Sequence, residues 1–301
     1  MKLKIQKLIL WISFVTLSFS ASVSNFTFNK DNDDIYRISF AIDELTVDNV
    51  GEYSRIISKS DGYTEVVGLP ELPTYTSMLM VDPDAEYEIK FSVISSRTIS
   101  DIKIFPNQSM LNGLEKLEVQ EIDNSFYSSS QLYPLKNIYL SEPMVMRDVN
   151  LSFLQVIPFK YSPIDQELEI YESIEITITK IREGHSFENA QALKSKVFER
   201  IYSEKVLNYE QSTREEDYQT PAILYICGGS SESSSSLQSL VDWRNERGYV
   251  VYTASVSDIG SSTSQIKNYI SNAYENFNPP PEYVALVGDV GGSYNIPTYY
   301  E

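Results

Sequence analysis

The hydrophobic period changes near Pro221, and this change constrains the fold more than any other feature. Upstream, Leu168, Ile170, Ile174, Ile176 and Ile178 share one parity, while Glu169, Ser173, Glu175 and Thr177 share the other. That spacing predicts a half-buried strand. Ile35–Ile42 and Tyr87–Val93 also read as strands, and the nearly continuous apolar run Leu151–Ile157 suits a central one. Turn signals such as Leu72-Pro73, Asp82-Pro83-Asp84 and Tyr161-Ser162-Pro163 separate the runs. Residues 35–182 therefore predict a β-sandwich with little helix. Ile122–Ser130 reads as a loop. Glu188–Val206 reads as one helix, with Ala192, Val197, Ile201 and Tyr202 partly buried. Residues 208–220 are polar and read as an exposed linker.

Downstream, Ile223–Cys227 is a buried strand that ends in Gly228-Gly229. Leu237, Leu240, Val241 and Arg244 have helical spacing, and Gly248 sits where a glycine ends a helix. Tyr249–Val256 is a second strand. Ile266, Tyr269, Ile270, Ala273, Tyr274 and Phe277 mark an amphipathic helix, which Pro279-Pro280-Pro281 closes. Tyr283–Val287 is a third strand, before Gly288-Asp289. A β-α-β-α-β order leaves no room for hairpins, so the strands should be parallel with right-handed crossovers. Three strands and two helices are few for a domain of this class. The expectation is an incomplete domain in a truncated sequence, with the third strand exposed.

Composition narrows the chemistry. The 301 residues hold 24 Lys and Arg against 42 Asp and Glu, a net charge of −18, which argues against a nucleic-acid partner. One cysteine, Cys227, and one histidine, His185, exclude an internal disulfide and a His/Cys metal cage. The N-terminus reads as an export signal. Lys2, Lys4 and Lys7 precede the apolar stretch Leu8–Leu17, and small residues follow at Ser18, Ser20, Ala21 and Ser22. The stretch is shorter than the ~20 residues a membrane span needs, and no other segment is apolar enough to span. The mature protein is expected to be secreted, extracellular or at the cell surface.

The αβ segment carries ILYICGG (223–229), LQSLVDWRNERGYVVYTASVSDIG (237–260) and TSQIKNYISNAYENFNPPPEYVALVGDV (263–290). In combination these resemble the start of the catalytic domain of gingipain-type secreted cysteine peptidases, which has a caspase-like fold. Upstream, VVGLPELPTYTSMLMVDPD (66–84) and the stretch 133–178 are similar to the prodomain of the same family. The resemblance implies a zymogen laid out as signal peptide 1–22, β-sandwich prodomain 23–207 with a C-terminal helical segment, linker 208–220 and peptidase domain from 221. It implies protein or peptide substrates, contact between prodomain and peptidase domain, and a Cys–His dyad downstream of Glu301. No catalytic residue is then expected here, and the fragment alone should be inactive. It also implies that Asp289 is a structural calcium ligand, with the other ligands downstream. The 291–295 stretch departs from the family pattern there.

Cys227 and His185 match neither dyad position, and Cys227 reads as a buried inert thiol. Gly228-Gly229-Ser230-Ser231 lacks phosphate-loop spacing. Arg214 is the only basic residue in 208–220 and is the candidate activation-cleavage point, with Lys205 second. The sequons at Asn25, Asn107 and Asn150 are assigned no role. A competing reading is an exported surface or adhesion protein whose β-sandwich binds a partner beside a non-catalytic peptidase-like domain.

Overall fold

The structure is a computed structural model that describes residues 25–30, 34–109, 119, 121–147, 149–184, 194–211 and 218–299. The expected export signal, His185 and Arg214 lie outside these residues.

Among the described residues, twelve strands precede Pro221: β1 (Phe26–Lys30), β2 (Ile35–Ala41), β3 (Leu45–Val50), β4 (Tyr53–Ser58), β5 (Gly62–Tyr63), β6 (Pro73–Met80), β7 (Glu86–Ile99), β8 (Ile138–Leu140), β9 (Met144–Met146), β10 (Val149–Val156), β11 (Phe159–Ser162) and β12 (Glu167–Arg182). β12 is the spine of a five-stranded antiparallel sheet; it pairs with β2, β11 and β7, and β1 extends β2. A second five-stranded sheet runs β5-β6-β10-β8, with β9 also on β10. β3 and β4 form a separate two-stranded pair.

Parity explains the shared core. Ile38, Phe40, Ile174 and Ile176 of the first sheet join Tyr75, Leu79, Leu154 and Val156 of the second in one apolar cluster. Phe40 and Tyr75 meet edge to face at 5.1 Å between ring centres, a preferred aromatic geometry. β10 is apolar on both faces because both are covered. Leu154 and Val156 enter the shared core, whereas Val149 and Leu151 pack on Tyr202 and Val206. β7 does not bury one parity throughout: Ile89 packs on the core, but Phe91 and Val93 of the same parity are exposed.

Two short elements differ from the sequence expectation. The 122–130 loop contains helix α1 (Asn124–Tyr127), because the Asp123 carboxylate accepts from the amides of Ser125 and Phe126 and Phe126 enters the core. The helix expected over 188–206 is α2 (Lys196–Lys205) within the described residues. Ser195 starts it by accepting from the Phe198 amide. Asn208, inside the expected linker, is tied to β6: its amide side chain accepts from the Met80 N–H at 2.7 Å and donates to the Met80 carbonyl at 2.8 Å.

After Pro221 come β13 (Ala222–Cys227), α3 (Ser235–Glu246), β14 (Val250–Ser255), α4 (Val256–Ile259), α5 (Thr263–Asn276) and β15 (Tyr283–Val287). β13 lies between β14 and β15, and both pairings are parallel, as the element order predicts. All six residues of β13 are buried because helices cover both sheet faces. On one face α5 places Ile266 and Ala273 on Leu224 and Ile226. On the other, α3 places Leu237 and Val241 on Ile223, Tyr225 and Cys227. A reciprocal Ser262–Gln265 capping box starts α5. Gly248, at φ +84°, follows the end of α3. Among the described residues β15 pairs with β13 alone, and Val284 and Leu286 on it are exposed. No described helix is long and apolar enough to cross a membrane.

Candidate functional site

Parallel αβ sheets place their ligands outside the carboxyl ends of the strands. Here β13 runs out into Gly228-Gly229 and β15 into Gly288-Asp289, and residues 291–296 fold back across both ends. The Asp289 amide donates to the Tyr294 carbonyl at 3.0 Å, and the Ile296 amide donates to the Asp289 carbonyl at 2.8 Å. Ser231 seals the other side, donating its hydroxyl to the Val287 carbonyl at 2.9 Å. The glycines make this closure possible. A side-chain carbon at Gly228 would overlap the Tyr294 carbonyl, and one at Gly229, which sits at φ +55°, would overlap the Ser293 carbonyl.

An open, largely apolar depression of about 600 Å³ lies beside these strand ends, between α3 and the 291–296 segment. Tyr225, Leu237, Leu240, Val287, Asp289 and Tyr294 are among the residues that line it.

The sequence-selected residues fare differently. Asp289 reaches the carboxyl end of β15, where its side chain accepts from the Val290 amide at 2.7 Å and stays exposed. Among the described residues no group of three or more His, Cys, Asp or Glu is placed to hold a metal. Calcium needs six to eight oxygens, so Asp289 does not form a calcium site with the described residues alone. Cys227 ends β13 fully buried, and burial pushes its thiol up, away from the thiolate that nucleophilic chemistry requires. It shares an apolar cluster with Tyr225 and Leu237. Gly228–Ser231 leads into a 3-10 turn at Ser231–Ser233 before α3 begins. Lys205 lies in the last turn of α2, a helical setting less suited to cleavage than an extended chain. Ser293 and Tyr294 lie in the stretch that departs from the family pattern, where the sequence alone assigns them no role. The glycines facing them were the available signal.

The C25 propeptide family matches residues 24–216, and Peptidase family C25 matches residues 200–301. Gingipain R1 of Porphyromonas gingivalis is 26% identical over 268 residues, which cover 85% of this chain and 26% of that protein. Gingipain R2 of the same species is also 26% identical, over 84% of this chain and 36% of its own length. Lys-gingipain is 22% identical over 277 residues, or 83% of this chain and 16% of that protein. The chain thus spans well under half the length of these relatives. Among solved structures, the complex of the Porphyromonas gingivalis RgpB pro- and mature domains superposes with a TM-score of 0.50 at 21% identity. It covers 62% of this chain and 98% of the matched chain, a likeness of fold alone. With the propeptide family matched over 24–216 and the peptidase family from residue 200 onward, the chain belongs to the C25 propeptide family and is a gingipain-type precursor.

Proposed function

We propose that the chain is the N-terminal part of a secreted cysteine-type endopeptidase zymogen. Residues 1–22 direct export, and residues 23–207 form a β-sandwich prodomain that keeps the peptidase latent and assists its folding. The segment from 221 opens a caspase-like domain. The observation that carries this reading is colinear: propeptide and peptidase matches meet at 200–216, where the fold passes from antiparallel sheets through α2 to a parallel sheet.

The chemistry is peptide-bond hydrolysis through a thioester acyl-enzyme. A thiolate attacks the carbonyl, a histidine carries the proton to the leaving amine, and water releases the acid. A buried Cys227 does not supply that thiolate, so the dyad belongs to parts of the peptidase beyond these 301 residues. The residues present scaffold the site: Gly228, Gly229 and Gly288 let the 291–296 segment close over the strand ends. Asp289 is one calcium ligand in this reading, completed by oxygens from elsewhere in the peptidase.

Activation requires a cut between the two segments, and Arg214 is the proposed point. N-terminal sequencing of the processed product should give a start at 215. A start elsewhere in 206–221 would move the cut from Arg214 while keeping it in the linker, and a start outside that window would overturn the proposed boundary.

A further inference from the structure

The β-rich segment and the parallel-sheet segment meet through charged groups almost fully removed from water. Arg147, in the turn after β9, places a guanidinium nitrogen 3.6 Å from the Glu282 carboxylate, just ahead of β15. The two side chains are 8% and 1% exposed. Gln219 donates to the same Glu282 oxygen at 3.1 Å and to the Pro280 carbonyl at 3.2 Å, so the carboxylate is held from two sides. The Arg147 guanidinium lies over the Phe198 ring of α2 at 5.6 Å. Phe198 in turn stacks on Tyr283 at 5.6 Å between centres and 21° between planes.

The surroundings hold Arg147 in place. Its backbone is left-handed, at φ +55°, a conformation a side-chain-bearing residue adopts at a cost. The Tyr202 hydroxyl donates to the neighbouring Met146 carbonyl at 2.8 Å and ties the turn to α2. Strained backbone persists where neighbouring structure over-determines it.

A buried ion pair adds little net stability over an apolar pair, but removing one partner leaves an uncompensated charge inside the protein. Such a contact therefore discriminates between partners more than it strengthens binding. We propose that Arg147 and Glu282 form a buried charge contact that sets how the β-rich segment seats on the parallel-sheet segment and restricts it to a partner of matching charge. A β-rich segment with an anion at position 147 is rejected by this αβ segment, and reversing both charges restores the fit. The inference uses the two-segment organisation and not peptidase chemistry, so it stands or falls separately from the proposed function.

Hydrogen exchange on the intact chain tests it. The Gln219 amide donates to the Lys194 carbonyl at 2.9 Å across the seam and reports seating. Arg147→Glu should speed its exchange by about tenfold or more through local opening, while the amides of Ile38 and Leu224, inside the two segments, keep their protection. The double variant Arg147→Glu/Glu282→Arg should return Gln219 to within about threefold of the parent. Unchanged Gln219 exchange in Arg147→Glu would overturn the proposal. If Arg147→Glu loses protection everywhere, the double variant decides: recovery supports the contact, and continued loss overturns it.

Discussion

Replacing Phe40 with alanine should cost the β-rich segment about 3–5 kcal/mol, the usual range for removing a buried aromatic side chain. Phe40 is 1% exposed and lies 5.1 Å from both Phe26 and Tyr75, so its ring joins two strands of its own sheet to the opposing sheet. The cavity left behind would be lined by residues of both sheets, and neither can collapse without moving the other. Denaturant unfolding followed on the β-sheet signal should show a lower midpoint with an unchanged slope. Both sheets should be lost in one transition. A loss below about 1 kcal/mol would mean the two sheets do not share a packed core at this point.

Gly229→Val has the second large effect, and a local one. The position sits at φ +55°, where a β-branched residue is strained by about 1–3 kcal/mol. Its side chain would also overlap the Ser293 carbonyl. The backbone across the strand ends has no soft side chain to yield, so residues 291–296 should be displaced. Hydrogen exchange at the Asp289 and Ile296 amides, bonded to the Tyr294 and Asp289 carbonyls, should lose protection. Amides in the middle of β13 should keep theirs. Full protection at Asp289 and Ile296 in the variant would show that the glycine is not what admits this segment.

Much of this fold was legible because period reports burial. β12 alternates because one face is buried, β10 carries apolar residues of both parities because both faces are covered, and α5 shows its stripe because one side meets β13 and β14. The parallel pairing of β13, β14 and β15 followed from element order alone. Short elements were less visible. α1 rests on a single Asp123 cap and one buried ring in a run that otherwise reads as loop. α2 starts where Ser195 caps it, although helix-forming residues extend further upstream. The Arg147–Glu282 contact left no sequence signal, because its members are far apart in the chain and each alone resembles a solvated charge. At the candidate site, the glycines after β13 and β15 were visible, but not the 291–296 backbone they accommodate. The inert setting of Cys227 was legible from its place at the end of an apolar strand.

The most direct measurement of the central claim is peptide cleavage by the complete processed precursor, assayed with and without a thiol alkylator and repeated in a Cys227→Ser variant. The account predicts cleavage that alkylation abolishes in both proteins, because the nucleophile is a different cysteine from the buried Cys227. Absence of peptidase activity, or activity that alkylation leaves intact, would contradict the zymogen reading and favour a binding role for the β-rich segment.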